Sequence, residues 1–530
     1  MKIRIYTRRI CAIFFLAILS GCTDFLTTEP QDFISPENYY KTEEEVYSAL
    51  GATYRTLGDL NCYGQQLAYE ALIDDLGYWD WKSTPSNMIN RAYSWNYTSS
   101  QSDIKKIWDN LYSGINRANE LLENIDKADM DNGLRETYRN EALFLRAYFH
   151  FLLVSNWGDI PLKLTSTTSA EFVNIARTPQ EEVLQKVVDD MEDVIASETL
   201  VAADKLDHAG RVTQTVAQGI LARVYLKMAG APINKGRDMY EKALFYAQEV
   251  EKSTIHRLNE SYSQIFINHA QNVYDKDFRE CMWEAQFYGN SVTDPGKSTG
   301  YSYIGNRIGI ESKNEDVIGY GYAYVRARLN FIDLYDDSDV RKERNIATYI
   351  YDSKGKKTNV DIFQRCIGKW RREDEVLFPK HKNYTPTNFP ILRYADVLLM
   401  IAEAENEVNG LTEVAYDAIN AVRKRAGIVE YTIENGNRFT TSQKFKQAVM
   451  DERARELCFE GLRKFDLVRW GIYVQEMNNA ARKADTDSRA GSAREKMTEV
   501  AKRITDRYIY FPIPQSELQL NKLMTQNKGW

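Results

Sequence analysis

Apolar residues recur along much of the chain at steps of three and four, the period of one face of an α-helix. Residues 42–57, for example, place Val46, Leu50, Tyr54 and Leu57 at such steps. The pattern predicts the following helices: 42–57, 104–125, 135–154, 179–195, 213–228, 239–250, 389–408, 413–425 and 442–470. Only 12 prolines interrupt the 530 residues, which favours long helices over a many-turned β protein.

Small residues mark the positions where these helices are expected to cross. Ala217 and Ala222, beside Leu221 and Tyr225, are typical of closely packed helix pairs. Such pairs are similar in architecture to tetratricopeptide units, although no strict period of about 34 residues repeats. From about 255 to 385 the helical period fades, Gly, Tyr, Asn and Ser dominate, and short β-like runs occur at 281–288 and 347–352. We therefore expect a helical scaffold at about 39–254 and 386–530, interrupted by a loop-rich region at about 255–385.

The first 22 residues have the layout of a bacterial export signal. Four basic residues precede an apolar run of ten (residues 10–19), half of the about 20 residues that a membrane span needs. The run ends in Leu19-Ser20-Gly21-Cys22, which resembles the lipobox at which lipoprotein signals are cleaved and the cysteine is lipidated. We predict a signal peptide at 1–21, a lipid on Cys22, a tether at 22–38 and a single body at 39–530.

Charge and composition exclude some classes of function. Acidic residues (75) outnumber basic ones (68) and give a net charge of −7, so a nucleic-acid partner is not expected. The six cysteines form no CxxC pair and the five histidines are scattered, so no zinc motif is predicted. We expect no metal, no cofactor and no catalytic residue.

Six motifs, in order along the chain, resemble those of the SusD/RagB family of outer-membrane nutrient-binding lipoproteins. They are Asp24-Phe25-Leu26 with Glu29-Pro30; Trp108, Tyr112, Ile115 and Asn119; Leu145, Arg146, Ala147, Gly158, Asp159 and Pro161; Arg393, Tyr394, Ala395, Asp396, Glu403 and Ala404; the pattern ERxxELxxEGxRxxDLxRWG at 452–471; and IPQSELQLN…QNKGW at 513–530, with Trp530 where tyrosine is commoner. The resemblance covers almost the whole chain.

This resemblance implies a fold and a function. The fold is mainly α and SusD-like, with tetratricopeptide-like helix pairs in a right-handed superhelical scaffold, an irregular loop-rich region and few short strands. The function is non-catalytic binding of an oligosaccharide or polysaccharide at the cell surface and its delivery to a TonB-dependent outer-membrane transporter of the SusC type. The protein is then lipid-anchored in the outer membrane and faces the cell exterior.

The charged residues between Arg453 and Trp470 lie three or four positions apart. Carboxylates and guanidinium groups this close could suggest catalysis. We interpret them instead as scaffold, because bidentate Arg–carboxylate pairs fix the register between neighbouring helices.

Aromatic residues in Gly-, Ser- and Asn-rich loops are harder to explain as core than those on helices. A sugar ring offers an apolar C–H face to a flat aromatic ring and a belt of hydroxyls to amide and guanidinium groups. On this chemistry we predict that the following residues bind a glycan: Trp79, Trp81, Trp95, Tyr97, Tyr288, Asn290, Tyr301, Tyr303, Arg307 and Tyr322.

Two other functions are open at this point. A helical glycoside hydrolase would also be long, helix-rich and aromatic, but it needs two carboxyl groups about 5–9.5 Å apart, and the sequence singles out no such pair. A tetratricopeptide-type adaptor would use the aromatic loops to bind a peptide or a protein.

Overall fold

The computed structural model describes residues 39–70, 74–80, 96–167, 169, 174–289, 300–432 and 439–530. Within these ranges the fold is mainly helical with few short strands, which confirms the predicted fold class. The helices are α1 (Glu43–Gly58), α2 (Gln66–Glu70), α3 (Ser102–Asn124), α4 (Asn132–Trp157), α5 (Gln180–Ala196), α6 (Gln214–Ala229), α7 (Arg237–Lys252), α8 (Tyr262–Gln271), α9 (Ile304–Arg307), α10 (Leu329–Ile332), α11 (Arg341–Asn345), α12 (Tyr394–Val408), α13 (Glu413–Arg425), α14 (Ser442–Glu456), α15 (Arg463–Arg469), α16 (Tyr473–Thr486), α17 (Arg494–Thr498) and α18 (Gln515–Leu520). The strands are β1 (Gly77–Trp79), β2 (Cys281–Ala285), β3 (Val325–Ala327), β4 (Ile346–Ala347), β5 (Tyr349–Tyr351), β6 (Lys357–Asn359), β7 (Cys366–Ile367) and β8 (Phe389–Arg393).

The long helices pack in sequence, each against its neighbour in the chain. Contacts run from α1 through α3, α4, α5 and α6 to α7. Helix α7 then packs directly against α12, which also contacts α13 and α14. Residues 253–393 therefore leave the helical scaffold and return to it at neighbouring places. No helix within the described ranges is long and apolar enough to cross a membrane.

Side-chain caps fix where several helices begin. The Thr42 side chain accepts a hydrogen bond from the Glu45 amide, and the Glu45 carboxylate accepts one from the Thr42 amide, so α1 starts in a complete capping box. Asp131, Thr213 and Thr412 cap α4, α6 and α13 in the simpler way. These caps satisfy amide groups that have no partner inside the helix.

The predicted helix at 389–408 is wrong in its first turn. Residues Phe389–Arg393 form β8, which pairs antiparallel with β2, and the helix begins only at Tyr394. Pro390 disfavours the helical region of φ and ψ at Phe389, and pairing with β2 holds the following residues extended.

The predicted helix at 442–470 is two helices, α14 and α15. In the turn between them Phe459 and Gly461 have φ values of 62° and 78°, in the left-handed region that no α-helix contains. The turn redirects the chain, so the charged residues on its two sides belong to different helices.

The short strands form three small sheets. Four of them are ordered β1-β3-β7-β4, while β2 pairs with β8 and β5 pairs with β6. The β-like runs predicted at 281–288 and 347–352 correspond to β2 and to β4 with β5. Strand β2 is irregular, because its register to β8 shifts twice, between Cys281 and Trp283 and between Trp283 and Glu284.

A buried cluster of ion pairs joins residues 253–393 to the last helices. The Arg393 side chain is fully buried and donates hydrogen bonds to Glu280, Glu456 and Glu460 at 2.7–2.9 Å. Arg341 reaches Glu456 from α11 at 3.1 Å. These contacts confirm that the Arg–carboxylate pattern of 452–471 is structural.

Candidate functional site

Half-exposed rings from strand β1 and from separate loops form two stacks of three rings each. In the first stack, Tyr384 lies between two nearly parallel rings, with centroids 3.9 Å from Tyr301 and 4.2 Å from His381. Two rings whose centroids lie this close to the Tyr384 centroid would overlap on one face, so Tyr301 and His381 cover opposite faces of Tyr384. The Tyr303 ring meets Tyr384 edge-on at 5.3 Å, and the Arg307 guanidinium lies 3.9 Å from the Tyr303 centroid.

The second stack consists of Trp79, Tyr324 and Tyr322. Tyr324 is the central ring, with centroids 5.1 Å from Trp79 and 5.2 Å from Tyr322 and interplanar angles of 23° and 14°. Tyr320 packs edge-on against Tyr322 at 4.8 Å, and the Lys382 ammonium group lies 4.9 Å from the Tyr320 centroid. We call the two stacks, with Tyr303, Arg307 and Tyr320, the aromatic platform.

Hydrogen bonds join the two stacks. The Tyr322 amide donates to the Asn306 carbonyl and the Tyr324 amide to the Arg307 carbonyl, both at 2.7 Å. The Tyr322 hydroxyl donates to Asn383 Oδ1 at 3.4 Å. The loop that carries Tyr322 and Tyr324 is therefore held against the short helix α9, which follows Tyr301 and Tyr303.

A buried arginine supports the platform from below. Arg372 pairs with Glu375 and donates to the carbonyl oxygens of Tyr320, Lys382 and Tyr384 at 2.8, 3.3 and 3.4 Å. One guanidinium thus fixes loops that carry both stacks. A surface held in this way loses little conformational entropy when it binds a ligand.

His381 and Tyr303, two titratable groups of the platform, stay neutral near pH 7. Burial, and secondly the charge of Arg372, lower the pKa of His381, whose Nδ1 accepts hydrogen bonds from the Asn383 and Tyr384 amides at 3.0 and 3.1 Å. Burial, with the neighbouring Tyr384, raises the pKa of Tyr303 to about 12. Ring faces and hydroxyl groups therefore dominate this surface.

The structure brings together five of the predicted glycan-binding residues. They are Trp79, Tyr301, Tyr303, Arg307 and Tyr322, all partly exposed on the platform. Tyr288 is 77% exposed and stacks on no ring among the described residues. Trp81, Trp95 and Asn290, like Cys22, lie outside the described ranges.

The prediction for Tyr97 is wrong. Its side chain is only 3% exposed and packs among Tyr508, Phe511 and Trp530, with the Trp530 ring stacked on it at 5.0 Å. The C-terminal residues cover this tyrosine, and sequence spacing gives no sign of a contact across 400 residues of chain.

Sequence reasoning missed His381 and Tyr384, which complete the first stack. They lie in the segment HKNYTPTN at 381–388, an aromatic pair among Asn, Thr and Pro residues. The composition criterion that selected Tyr301 and Tyr322 would also have selected them. Tyr320 and Tyr324 belong to the same run as Tyr322 and were identifiable in the same way.

Two family models match the chain. The model of the SusD family matches residues 352–530, and the model described as starch-binding and associating with the outer membrane matches residues 36–226. A SusD-like protein of Formosa agariphila is 25% identical and covers 97% of both chains. The starch-binding protein SusD of Bacteroides thetaiotaomicron is 23% identical over 89% of this chain and 86% of its own.

Solved structures have the same fold. A SusD homologue from Bacteroides thetaiotaomicron superposes with a TM-score of 0.83 and 27% identity, over 93% of this chain and 98% of its own. The surface glycan-binding protein A of that organism, solved in complex with laminarihexaose, has a TM-score of 0.71 at 19% identity, over 92% and 100% of the two chains. Taken with the family models and the ordered motifs, these similarities show that the chain belongs to the SusD/RagB family.

Proposed function

We propose that this protein binds an oligosaccharide or polysaccharide on the aromatic platform and passes it, chemically unchanged, to a TonB-dependent transporter of the SusC type. The observation that carries the proposal is the pair of three-ring stacks. Exposed tyrosine and tryptophan faces cover the C–H face of a sugar, while hydroxyl groups, Arg307 and Asn383 can bond its hydroxyls. The supporting contacts of Arg372 hold this surface ready for a ligand.

The names of relatives support the same ligand class. One curated relative is a starch-binding protein, and structural neighbours of the same fold are described as laminarin-binding or surface glycan-binding proteins. The description of the matched family model supports a place at the outer membrane. The transporter partner rests on the family resemblance.

Ion pairing of the carboxylates near the platform favours binding over hydrolysis. Asp80, which follows Trp79, pairs with Arg326 and Lys496, and Glu315 pairs with Lys382. Burial raises the pKa of Glu375, but this residue is only 4% exposed and is held by Arg372 below the rings. A glycosidase needs a protonated carboxyl group and a second carboxylate facing the same bond.

Removing an end ring of a stack is expected to weaken glycan binding. Tyr301→Ala and Tyr322→Ala should each lower the affinity about 10-fold, because one stacking face contributes about 1.4 kcal/mol. Isothermal titration against a panel of soluble glucans, mannans, xylans and pectic glycans would identify the ligand and measure the loss. Phe245→Ala is the matched control, since this ring is 53% exposed on α7 of the scaffold.

Three results would contradict this function. They are unchanged affinity in both tyrosine variants, release of reducing ends from the bound glycan, and binding of peptides but of no glycan in the panel. The second would support the hydrolase alternative and the third the adaptor alternative.

We further propose that a lipid on Cys22 holds the protein in the outer membrane with its body outside the cell. Cys22→Ser removes the thiol that is proposed to carry the lipid, so it should abolish labelling by radioactive palmitate. Without acyl chains the protein should move to the soluble fraction, since these chains supply its membrane affinity. Cys11→Ser is the control, since this second cysteine of the export signal lies inside its apolar run. Protease treatment of intact cells tests the orientation: a protected wild-type protein would contradict surface display.

A further inference from the structure

Three side chains that commonly bind metals meet between helix α8 and strand β2. Helix α8 contributes His269, and β2 contributes Cys281 and Glu284. One potential ligand atom of each residue lies within 4.8 Å of those of the other two. We propose that His269, Cys281 and Glu284 form a binding site for a zinc ion, which ties α8 to β2. The proposal is independent of glycan binding.

The irregularity of β2 brings the two strand residues together. In a regular strand, residues three positions apart point to opposite faces of the sheet. Two register shifts, on either side of Trp283, interrupt this alternation in β2. Cys281 and Glu284 consequently reach the same place, with the Cys281 Sγ 3.5 Å from Glu284 Oε2. Bulges that redirect a side chain in this way are frequent beside functional sites.

The distances suit tetrahedral zinc coordination. The His269 Nδ1 atom lies 2.9 Å from Glu284 Oε2. An ion at the usual Zn–N, Zn–O and Zn–S lengths of about 2.0–2.3 Å holds its ligand atoms about 3.3–3.6 Å apart. The two distances to Glu284 Oε2 differ from that spacing by a few tenths of an ångström, while the His269 and Cys281 ligand atoms lie within 4.8 Å of each other and must move closer together to share an ion. A nitrogen, a thiol sulfur and a carboxylate oxygen together favour Zn²⁺ over Ca²⁺ or Mg²⁺, which prefer oxygen alone.

Neighbouring amides fix the orientation of the proposed ligands. Glu284 Oε1 accepts hydrogen bonds from Asn388 Nδ2 at 3.0 Å and from Gln286 Nε2 at 2.9 Å, which leaves Oε2 facing His269 and Cys281. The backbone amide of Asn388 also donates to the His269 carbonyl oxygen at 3.0 Å. Asn388 thus holds both elements of the site, the role that outer-shell residues have in zinc proteins.

The site has room for a fourth ligand and lies next to a surface depression. A cavity of about 20 Å³ adjoins all three residues, enough for one water molecule. Asn268, Val273, Tyr274 and Asp275 border both this cavity and a larger surface depression. Three protein ligands with a water molecule in the fourth position is a common zinc arrangement.

Cobalt provides a direct test, because a Co²⁺–thiolate bond has an intense charge-transfer band in the near ultraviolet. The metal-free, full-length protein should show this band with one equivalent of Co²⁺ and lose it when one equivalent of Zn²⁺ is added. Cys281→Ser should remove the band and weaken zinc binding at least 10-fold. Cys458→Ser is the matched control: Sγ of this buried cysteine donates to the Arg455 carbonyl, which a serine hydroxyl can also do.

A second variant covers the case in which Cys281→Ser does not fold, as judged by circular dichroism. Glu284→Gln should keep the cobalt–thiolate band at high Co²⁺ but require at least 10-fold more metal. The melting temperature of the wild-type protein should rise with Zn²⁺ and fall with a chelator. Three results would contradict the zinc site: absence of the band at one equivalent of Co²⁺, a band that persists in Cys281→Ser, and an unchanged zinc affinity in Glu284→Gln. Each would mean that His269 and Glu284 form only a hydrogen-bonded pair.

Discussion

Replacing Glu456 by glutamine is expected to lower the free energy of unfolding by about 3–5 kcal/mol. The Glu456 side chain is fully buried and accepts hydrogen bonds from Arg425, Arg393 and Arg341 at 2.6, 2.9 and 3.1 Å. An amide of the same shape leaves these three guanidinium groups with one counter-charge fewer in a medium that solvates them poorly. Removing one partner of a buried ion pair typically costs this amount.

The loss of stability in Glu456→Gln should become smaller as the pH falls. Burial alone would raise the pKa of Glu456, but Arg425, Arg393 and Arg341 outweigh it and hold that pKa well below its usual 4.5. The contribution of the carboxylate to the free energy of unfolding is therefore complete above about pH 4.5 and is lost as the pH falls below it. Urea titrations should give a constant difference between wild type and Glu456→Gln from pH 7 to 5, and a smaller one below.

An exposed ion pair provides the control for this experiment. Lys105 and Asp109 pair on the surface of α3, with side chains 41% and 45% exposed. Asp109→Asn should change the free energy of unfolding by less than about 1 kcal/mol, because water screens such pairs. If Glu456→Gln cost as little as Asp109→Asn, the buried cluster would not be the structural junction that its geometry indicates.

Replacing Lys227 by methionine is expected to stabilise the protein by about 3 kcal/mol at pH 7. The side chain is 7% exposed and borders an interior cavity of about 60 Å³ together with Arg223, Arg453 and Arg469. Burial, and secondly the charge of Arg469, lower the pKa of Lys227 from 10.5 to about 8. That difference corresponds to about 3 kcal/mol spent on keeping the ammonium group charged in the folded state.

The pH profile distinguishes this explanation from better packing by methionine. At pH 7 the lysine is protonated in both the folded and the unfolded chain, so the full cost is present. Between about pH 8 and 10.5 the folded state has released the proton while the unfolded state still holds it, so the wild-type protein becomes more stable as the pH rises. The advantage of Lys227→Met should therefore shrink over this range.

Chemical denaturation at pH 7, 9 and 10.5 measures that change. Lys252→Met serves as the control, because the Lys252 side chain is 63% exposed at the end of α7 and pairs with Glu249 on the surface. A stabilisation of equal size at all three pH values, or none at pH 7, would contradict the assigned cost of the buried charge.

Helices were the part of the fold that the sequence predicted best. Their apolar period follows from packing one face of each helix into the interior, as in α1, α3 and α13, whose ends agree with prediction to within two residues. The errors fall at two places: residues 389–393 are held extended by Pro390 and by pairing with β2, and residues 457–462 turn because Phe459 and Gly461 adopt left-handed conformations. The spacing of apolar residues reports neither effect.

The sequence predicted the type of residue in the candidate site but not all of the particular residues that form it. Loop composition indicated Tyr301, Tyr303 and Tyr322, whereas Tyr97 has the same composition around it and is covered by Trp530. The cluster of His269, Cys281 and Glu284 lay beyond reach for another reason. Regular strand alternation places Cys281 and Glu284 on opposite faces, and only the register shifts of β2 bring them together.

The direct packing of α7 on α12 has a consequence for how such proteins diversify. Residues 253–393, the excursion, leave and rejoin the helical scaffold at adjacent points. Helices α7 and α12 can therefore pack on each other whatever the length of this excursion, as in domains that tolerate insertions. All of the aromatic platform except Trp79 lies within this excursion, so these residues can change while the helical frame persists. If the platform binds the nutrient as we propose, transplanting the excursion between two relatives, with the acidic partners of Arg341 and Arg393 retained, should exchange their ligand preferences.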